Sequence, residues 1–456
     1  LIKDRLAEWD VALRVYTGLM ALRGVTLLCT GRRHEALVAL LRGLRISGWQ
    51  VGRGSIMALT SGIVRDLCYD AGRLLPVNDN GLWRHFTRTT EARAIRGQFA
   101  AYPEADRVRL RLPRPDDDPE RQGDLIVLKP YDPSTGERGV LLVTYSEALR
   151  RFAAMYDLGA IATRYMLVAE PSSWGYEHPT FFLFLGSDLD VVVEAPWRRD
   201  FEYLKRLGAN LVPTRIGAGD WVDPEMFRPA EGRERTYDLV MVSAWDPIKR
   251  HEDLFEALAR LRMTMTRALR VALIGYPAAW TRADIERLMR TYAVDDCCTV
   301  YENVSHAEVA RIVSDARAYV LLSRREGANR ALYEALFCDT PVVVYRHHRG
   351  VNVEAITAEQ GALFDRGELE QAILRVLEHP SEMHPRAWAL ANTGYLNSTR
   401  ALNSQLRALA HARGLPWTRD IVAKKMAPQL RYAEPGLYRQ FDAEYNALAK
   451  LLLPAL

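Results

Sequence analysis

Glu326 and Glu334 stand eight residues apart, on either side of Gly327-Ala-Asn-Arg330. A carboxylate accepts hydrogen bonds from hydroxyls, so two at this spacing can hold both ends of one extended polyhydroxyl ligand. Arg330 to Phe337 has helical propensity and an apolar stripe. A helix start between the two carboxylates offers free N–H groups and a positive dipole to an anion such as a diphosphate. Eight residues at helical rise span roughly 12 Å, about the length of a sugar-diphosphate-ribose group. Elements on both sides fix where this turn lies. Ala318-Tyr-Val-Leu-Leu-Ser323 and Pro341-Val-Val-Val-Tyr345 read as buried strands. The order strand, turn, helix, strand puts the turn at the carboxyl edge of a parallel sheet, where doubly wound folds bind ligands.

The surrounding chain repeats this alternation. Tyr237-Asp-Leu-Val-Met-Val242 opens a second half. A turn to Lys249, a helix from about Asp253, the strand Arg270 to Ile274 with Gly275, and the strand Cys298 to Tyr301 follow. The first half starts with Val25 to Cys29, the turn Thr30-Gly31-Arg32 and a helix to about Ser47. Further strand candidates fall within Leu125 to Leu128, Gly139 to Val143, Ala160 to Ala169 and Asp190 to Glu194. The polar stretch Arg228 to Thr236 reads as a linker. The 456 residues are too many for one core, and 48% hydrophobic residues suffice for two. No apolar stretch reaches the ~20 residues of a membrane span, and no signal peptide is visible. Five scattered cysteines without metal spacing fit a reducing cytosol. The formal charge of +4 suits an anionic substrate and calls for no specific nucleic acid. Arg386 to Tyr432 holds eight Arg or Lys against Asp420, a face that would suit an anionic membrane or glycan, or water.

Glu326-Gly-Ala-Asn-Arg-Ala-Leu-Tyr-Glu334, followed by Ala335-Leu336 and Pro341-Val342, resembles the Glu-x7-Glu signature of retaining glycosyltransferases of family 4, the group 1 glycosyl transferases. The resemblance implies an α/β GT-B fold, two Rossmann-like domains facing a central cleft. The implied boundaries are an acceptor-side domain over 1–229, a linker over 230–236 and a nucleotide-sugar-binding domain over 237–432. A C-terminal helix within 433–456 would return to the first domain. It implies that Glu326 and the backbone of Gly327, Ala328, Asn329 and Arg330 hold the donor sugar, and that Glu334 holds the ribose. Val240 to His251 is similar to the family's strand and Arg-x4-Lys phosphate clamp, with Lys249 in place and Ala244 where the arginine belongs. Arg250 or Arg324 is then the candidate second charge. Gly275 resembles the glycine near the diphosphate, Asn303 and Val304 the loop around the base, and Gly31 the first-domain loop that approaches the phosphates.

Catalysis is thereby assigned to Glu326 and Lys249, with His178 as the candidate first-domain histidine. Glu170-Pro-Ser-Ser-Trp-Gly-Tyr-Glu-His178 follows a strand and mixes hydrogen-bonding and stacking groups. Glu170, Trp174 and Tyr176 are its acceptor-side candidates. Gly217 to Asp223 reads as a backbone-shaping turn before the linker. The expected reaction is metal-independent and cofactor-free, with a nucleotide-sugar donor and a glycan, lipid-linked or small-molecule acceptor. Its expected setting is the cytoplasm, with peripheral contact to the inner membrane face as an option. Two rivals stand beside it, a GT-B nucleotide-sugar epimerase and a non-catalytic nucleotide-sugar or glycan binder. The missing arginine at Ala244 supports the second.

Overall fold

The computed structural model describes residues 81–454, apart from 113–117, 119, 172–180, 182, 208–209, 231, 233, 268, 328 and 427–428. Two α/β sheets follow one another along this chain. The first has β1 (Leu125–Lys129), β2 (Gly139–Thr144), β3 (Tyr165–Glu170), β4 (Val191–Glu194) and β5 (Leu211–Thr214), side by side in that order. β1 and β2 are antiparallel, and the remaining pairings are parallel. Helices α1 (Ser146–Met155) and α2 (Arg198–Leu207) make two of the connections. The expected strand at Ala160 to Ala169 is shorter than the apolar run, because Asp157 caps a helix over Leu158–Ala162 first.

The second sheet has the order β11-β10-β9-β6-β7-β8. Its strands are β6 (Tyr237–Val242), β7 (Val271–Gly275), β8 (Cys298–Glu302), β9 (Ala316–Leu321), β10 (Val342–Tyr345) and β11 (Gly361–Phe364), all parallel. Its helices are α3 (His251–Thr264), α4 (Arg282–Thr291), α5 (His306–Ser314), α6 (Arg330–Phe337) and α7 (Leu369–Glu378). Residues on alternate strand positions serve opposite cores. Leu239, Met241, Val320 and Val343 pack with α3, α4 and α7, while Val240, Tyr319, Val342 and Val344 pack with α5 and α6. Burial on both faces explains why these strands read as continuous apolar runs.

The carboxyl edges of the two sheets meet. Arg215, just past β5, reaches Asn352 Oδ1 at 2.8 Å beyond β10, and Arg198 pairs with Glu354 at 3.3 Å. Gly219 lies against α6, where a Cβ would stand 2.7 Å from the Tyr333 ring. Two α/β domains thus meet at the carboxyl edges of their sheets.

The chain returns to the first domain earlier than the expected boundary at 433. Leu402, Leu406 and Ala410 on α8 (Tyr395–Ala412) already belong to the first core. The short hairpin β12 (Lys424–Met426) and β13 (Leu430–Tyr432) follows, and then α9 (Asp442–Ala449), which adds Tyr445 and Leu448. The Tyr445 hydroxyl accepts from Val127 N at 3.2 Å. Apolar burial at these positions, invisible in a tally of charges, decides the boundary.

The basic run is largely paired within the chain. Arg407 pairs with Asp420 at 2.6 Å, Arg413 with Asp190 at 2.8 Å, Lys425 with Asp223 at 2.6 Å and Arg431 with Asp118 at 2.9 Å. Arg419 pairs with Asp132, and Lys424 is buried against Glu170. Arg386 donates to the carbonyls of Phe227 and Phe337. Seven of the run's eight cations, all but Arg400, bind carboxylates or carbonyls of this same chain. No helix among the described residues is long and apolar enough to cross a membrane.

Two outcomes test this packing. Leu448→Ala should destabilise the first core by about 2–5 kcal/mol, read by denaturant unfolding; a cost within ±0.5 kcal/mol would detach α9 from it. Asp220 accepts from Thr393 Oγ1 at 2.7 Å, tying the turn before the linker to the start of α8. Burial pushes its carboxyl up from 3.8 to about 6, against the pull of hydrogen bonds from Thr393 and Gly217. The folded state therefore holds this proton more tightly than the unfolded state. Its contribution is full below about pH 4 and declines as pH rises through about 6, by up to about 3 kcal/mol. Asp220→Asn should flatten that part of the stability–pH curve, and an unchanged slope would remove Asp220 as its source.

Candidate functional site

The loops after β6 and β7 are zipped together before any ligand arrives. Trp245 N donates to Tyr276 O at 2.9 Å, and Trp280 N donates to Trp245 O at 2.9 Å. Gly275 is required here, since a Cβ would lie 2.4 Å from both Ser243 O and Trp245 Nε1. The need at Gly275 comes from the buried indole. Asp246 caps the next turn by accepting from Ile248 N at 2.9 Å, and Arg250 closes it with φ +63°. Lys249 is thereby presented at the carboxyl edge of the second sheet. His251 starts α3, buried, with Nε2 3.2 Å from Ser243 Oγ.

Across the edge, Lys249 Nζ lies 2.7 Å from Glu326 Oε1. The same oxygen accepts from Ser323 Oγ at 2.6 Å, and Oε2 accepts from Asn329 Nδ2 at 2.8 Å. Asn329 is also the N-cap of α6, accepting from Leu332 N at 2.8 Å and from the Tyr319 hydroxyl at 3.2 Å. One side chain thus orients the carboxylate and starts the helix. Burial pushes the Glu326 carboxyl up, but Lys249 and Ser323 outweigh it and hold it below its ordinary value. His348, buried at the end of the β10 loop, places Nε2 3.4 Å from Ser323 Oγ, and burial lowers it to about 4.

Glu334 lies just over one turn along α6 and is 2% exposed. Arg330 Nε contacts its Oε1 at 3.0 Å, and His306 Nε2 stands 3.5 Å from the same oxygen. Burial raises the Glu334 carboxyl, with Arg330 opposing. Burial also lowers His306 to about 4, so the imidazole is neutral near pH 7. Arg330 reaches on to Met426 O of β12 at 3.2 Å. Next to α5, Asn303 turns in the left-handed region with φ +51°, and its N–H donates to Gly275 O at 2.9 Å. Val304 packs on the core below.

The structure therefore gathers Lys249, Glu326, Gly327, Asn329, Arg330 and Glu334 around the start of α6, with Gly275, Asn303 and Val304 at neighbouring strand ends. Arg250 is engaged elsewhere, paired with Asp253 at 2.6 Å. Glu170 is 1% exposed with its carboxylate on Lys424, so an acceptor reaches it only by opening that pair. Gly31, Trp174, Tyr176, His178 and Ala328 lie outside the described residues. His306, Ser323, Tyr319 and His348 were not singled out in the sequence, and only Ser323, three residues before Glu326, carried a local signal.

Residues 223–390 match the family described as Glycosyl transferases group 1. The matched span is less than half of the chain. It contains Lys249, Glu326 and Glu334. The MMP alpha-(1->4)-mannosyltransferase of Mycolicibacterium hassiacum is 28% identical over 165 residues, which cover 36% of this chain and 39% of that protein. The match thus spans about two fifths of the relative's length. Among solved structures, sucrose-phosphate synthase from Thermosynechococcus elongatus aligns at 18% identity and TM-score 0.48, over 60% of this chain and 74% of that one. Anabaena HepE in complex with UDP-glucose aligns at 15% and 0.47, over 59% and 78%.

Gly350 supplies the test of this geometry. Its φ is +116°, and a Cβ there would stand 1.6 Å from Glu326 O. Gly136 has φ +71° with open space around it. Gly350→Ala should cost well over the roughly 1 kcal/mol expected of Gly136→Ala and should displace the Glu326 loop. Equal costs in denaturant unfolding would mean that Gly350 does not position Glu326.

Proposed function

We propose that this chain is a retaining glycosyltransferase that moves a hexosyl group from a nucleotide-sugar to an acceptor hydroxyl on a glycan, a lipid-linked sugar or a small molecule. The observation that carries this reading is the Lys249–Glu326 ion pair beside the start of α6, with Glu334 just over one turn further on. The group 1 match supports it, and the mannosyltransferase relative supports a hexose as the transferred group.

In this reading Glu326 receives hydroxyls of the donor sugar, and Glu334 receives the ribose. The diphosphate meets Lys249 and the free N–H groups at the start of α6. Lys249 is then shared between Glu326 and phosphate, and its charge matters most as the leaving group departs. The acceptor oxygen attacks the anomeric carbon from the face the phosphate leaves, so configuration is retained. The acceptor proton passes to the departing phosphate oxygen. Neither glutamate needs to be a nucleophile. Lys249 occupies the place where a divalent ion would otherwise neutralise the phosphates, so the reaction is proposed to be metal-independent and cofactor-free.

One set of assays tests this. A panel of UDP-, GDP- and ADP-hexoses should raise the melting temperature selectively, since a ligand of the folded state stabilises it. With the best donor at saturation, Lys249→Ala should lower turnover on the order of 10²–10³-fold. Glu334→Gln should weaken donor binding by about 1.5–3 kcal/mol. Turnover should persist in excess EDTA. Accumulation of an epimerised donor without transfer, or tight binding with no turnover, would instead favour an epimerase or a binding protein.

A further inference from the structure

A cavity of about 290 Å³ opens among α3, the start of α7 and the ends of β9 to β11. It lies on the face of the second sheet opposite α6, and neither Lys249 nor Glu326 lines it. Four arginines do: Arg250, Arg260, Arg324 and Arg366. Their circumstances differ. Arg250 is taken by Asp253, and Arg260 by Glu256 and Glu370. Among the described residues, no carboxylate lies within ion-pair distance of Arg324 or Arg366. Two cations facing one cavity repel each other and are stabilised by an anion between them. Burial, together with nearby Arg250 and Arg366, pulls the Arg324 guanidinium below its ordinary value. Tyr345 adds an aromatic wall, with the Arg324 guanidinium 5.8 Å from its ring centre.

We propose that this cavity binds the phosphate monoester of a sugar phosphate, with Arg324 and Arg366 on the phosphate and Tyr345 against the sugar. The dianion matches two guanidiniums in charge, and each guanidinium presents a fork of donors that fits phosphate oxygens. The volume admits a monosaccharide-sized ligand. The cavity is a second anion site beside the Lys249–Glu326 pair, reached through the same two loops, since Arg324 follows Ser323 and Arg250 follows Lys249. This goes beyond the transferase reading and is tested by binding alone, so either can fail without the other.

The experiment is calorimetric titration of the full chain with glucose 6-phosphate, with inorganic phosphate, and with UDP and GDP. Glucose 6-phosphate should bind more tightly than inorganic phosphate. Arg324→Gln and Arg366→Gln should each weaken it roughly tenfold or more with the melting temperature unchanged, and Arg366→Gln should leave nucleotide affinity unchanged. Lys249→Ala should leave glucose 6-phosphate binding intact. Equal affinity for the two phosphates would overturn the sugar part and leave a site for free phosphate. Unchanged affinity in the Arg324→Gln, Arg366→Gln double variant, or loss only in Lys249→Ala, would overturn the site itself. A parallel fall in nucleotide affinity in Arg366→Gln would overturn its separateness, because the cavity would then serve the donor's diphosphate.

Discussion

The ion pair between Lys249 and Glu326 is the contact on which the rest of the site depends. It joins two loops that leave strands β6 and β9, neighbours in the sheet but 77 residues apart in the chain. An ion pair with this much burial is costly unless its remaining valences are filled. Here they are filled by Ser323 and Asn329, and Asn329 in turn caps α6. Helix start, carboxylate and cation are therefore set by one connected network, and a ligand anion enters a place where charge is already balanced. Such preorganisation reduces the rearrangement needed when charge develops on a leaving group.

A second network holds the domains. Lys424 is fully buried, engaged with Glu170, and stacked 4.1 Å over the Trp221 ring. Glu194, at the end of the adjacent strand, is also buried, and burial near Glu170 raises its carboxyl well above the ordinary value despite Lys424. Two carboxylates brought together in a buried site disfavour each other's charge, and burial adds to that at Glu194. The cost of burying these groups is acceptable where they fix a unique contact between the C-terminal return and the first sheet.

Much of the second domain was legible because its strands are short, buried on both faces and punctuated by turn residues. Glu326 and Asn329 could be read from the stretch Glu326 to Glu334, and Lys249 from its resemblance to the family's phosphate clamp. The return of the chain at α8 was not legible, since Leu402, Leu406 and Ala410 sit in a stretch whose arginines dominate the composition. The same arginines looked like a free basic face because their partners, Asp118, Asp132, Asp190 and Asp223, come from distant segments. Pairing at long range leaves no trace in local sequence. His306 and His348 were missed for the same reason, each reaching the site from an element with no motif of its own.

Strand β12 is only three residues long, yet each residue is fastened to a different body. Lys424 goes to the first sheet, Lys425 to Asp223 before the linker, and the carbonyl of Met426 to Arg330 on α6. At about 3.3 Å per residue these anchors lie within roughly 10 Å of one another. The two domains are thus fastened at β12 over a stretch of three residues, in addition to the contacts of Arg198 and Arg215 across the carboxyl edges of the sheets.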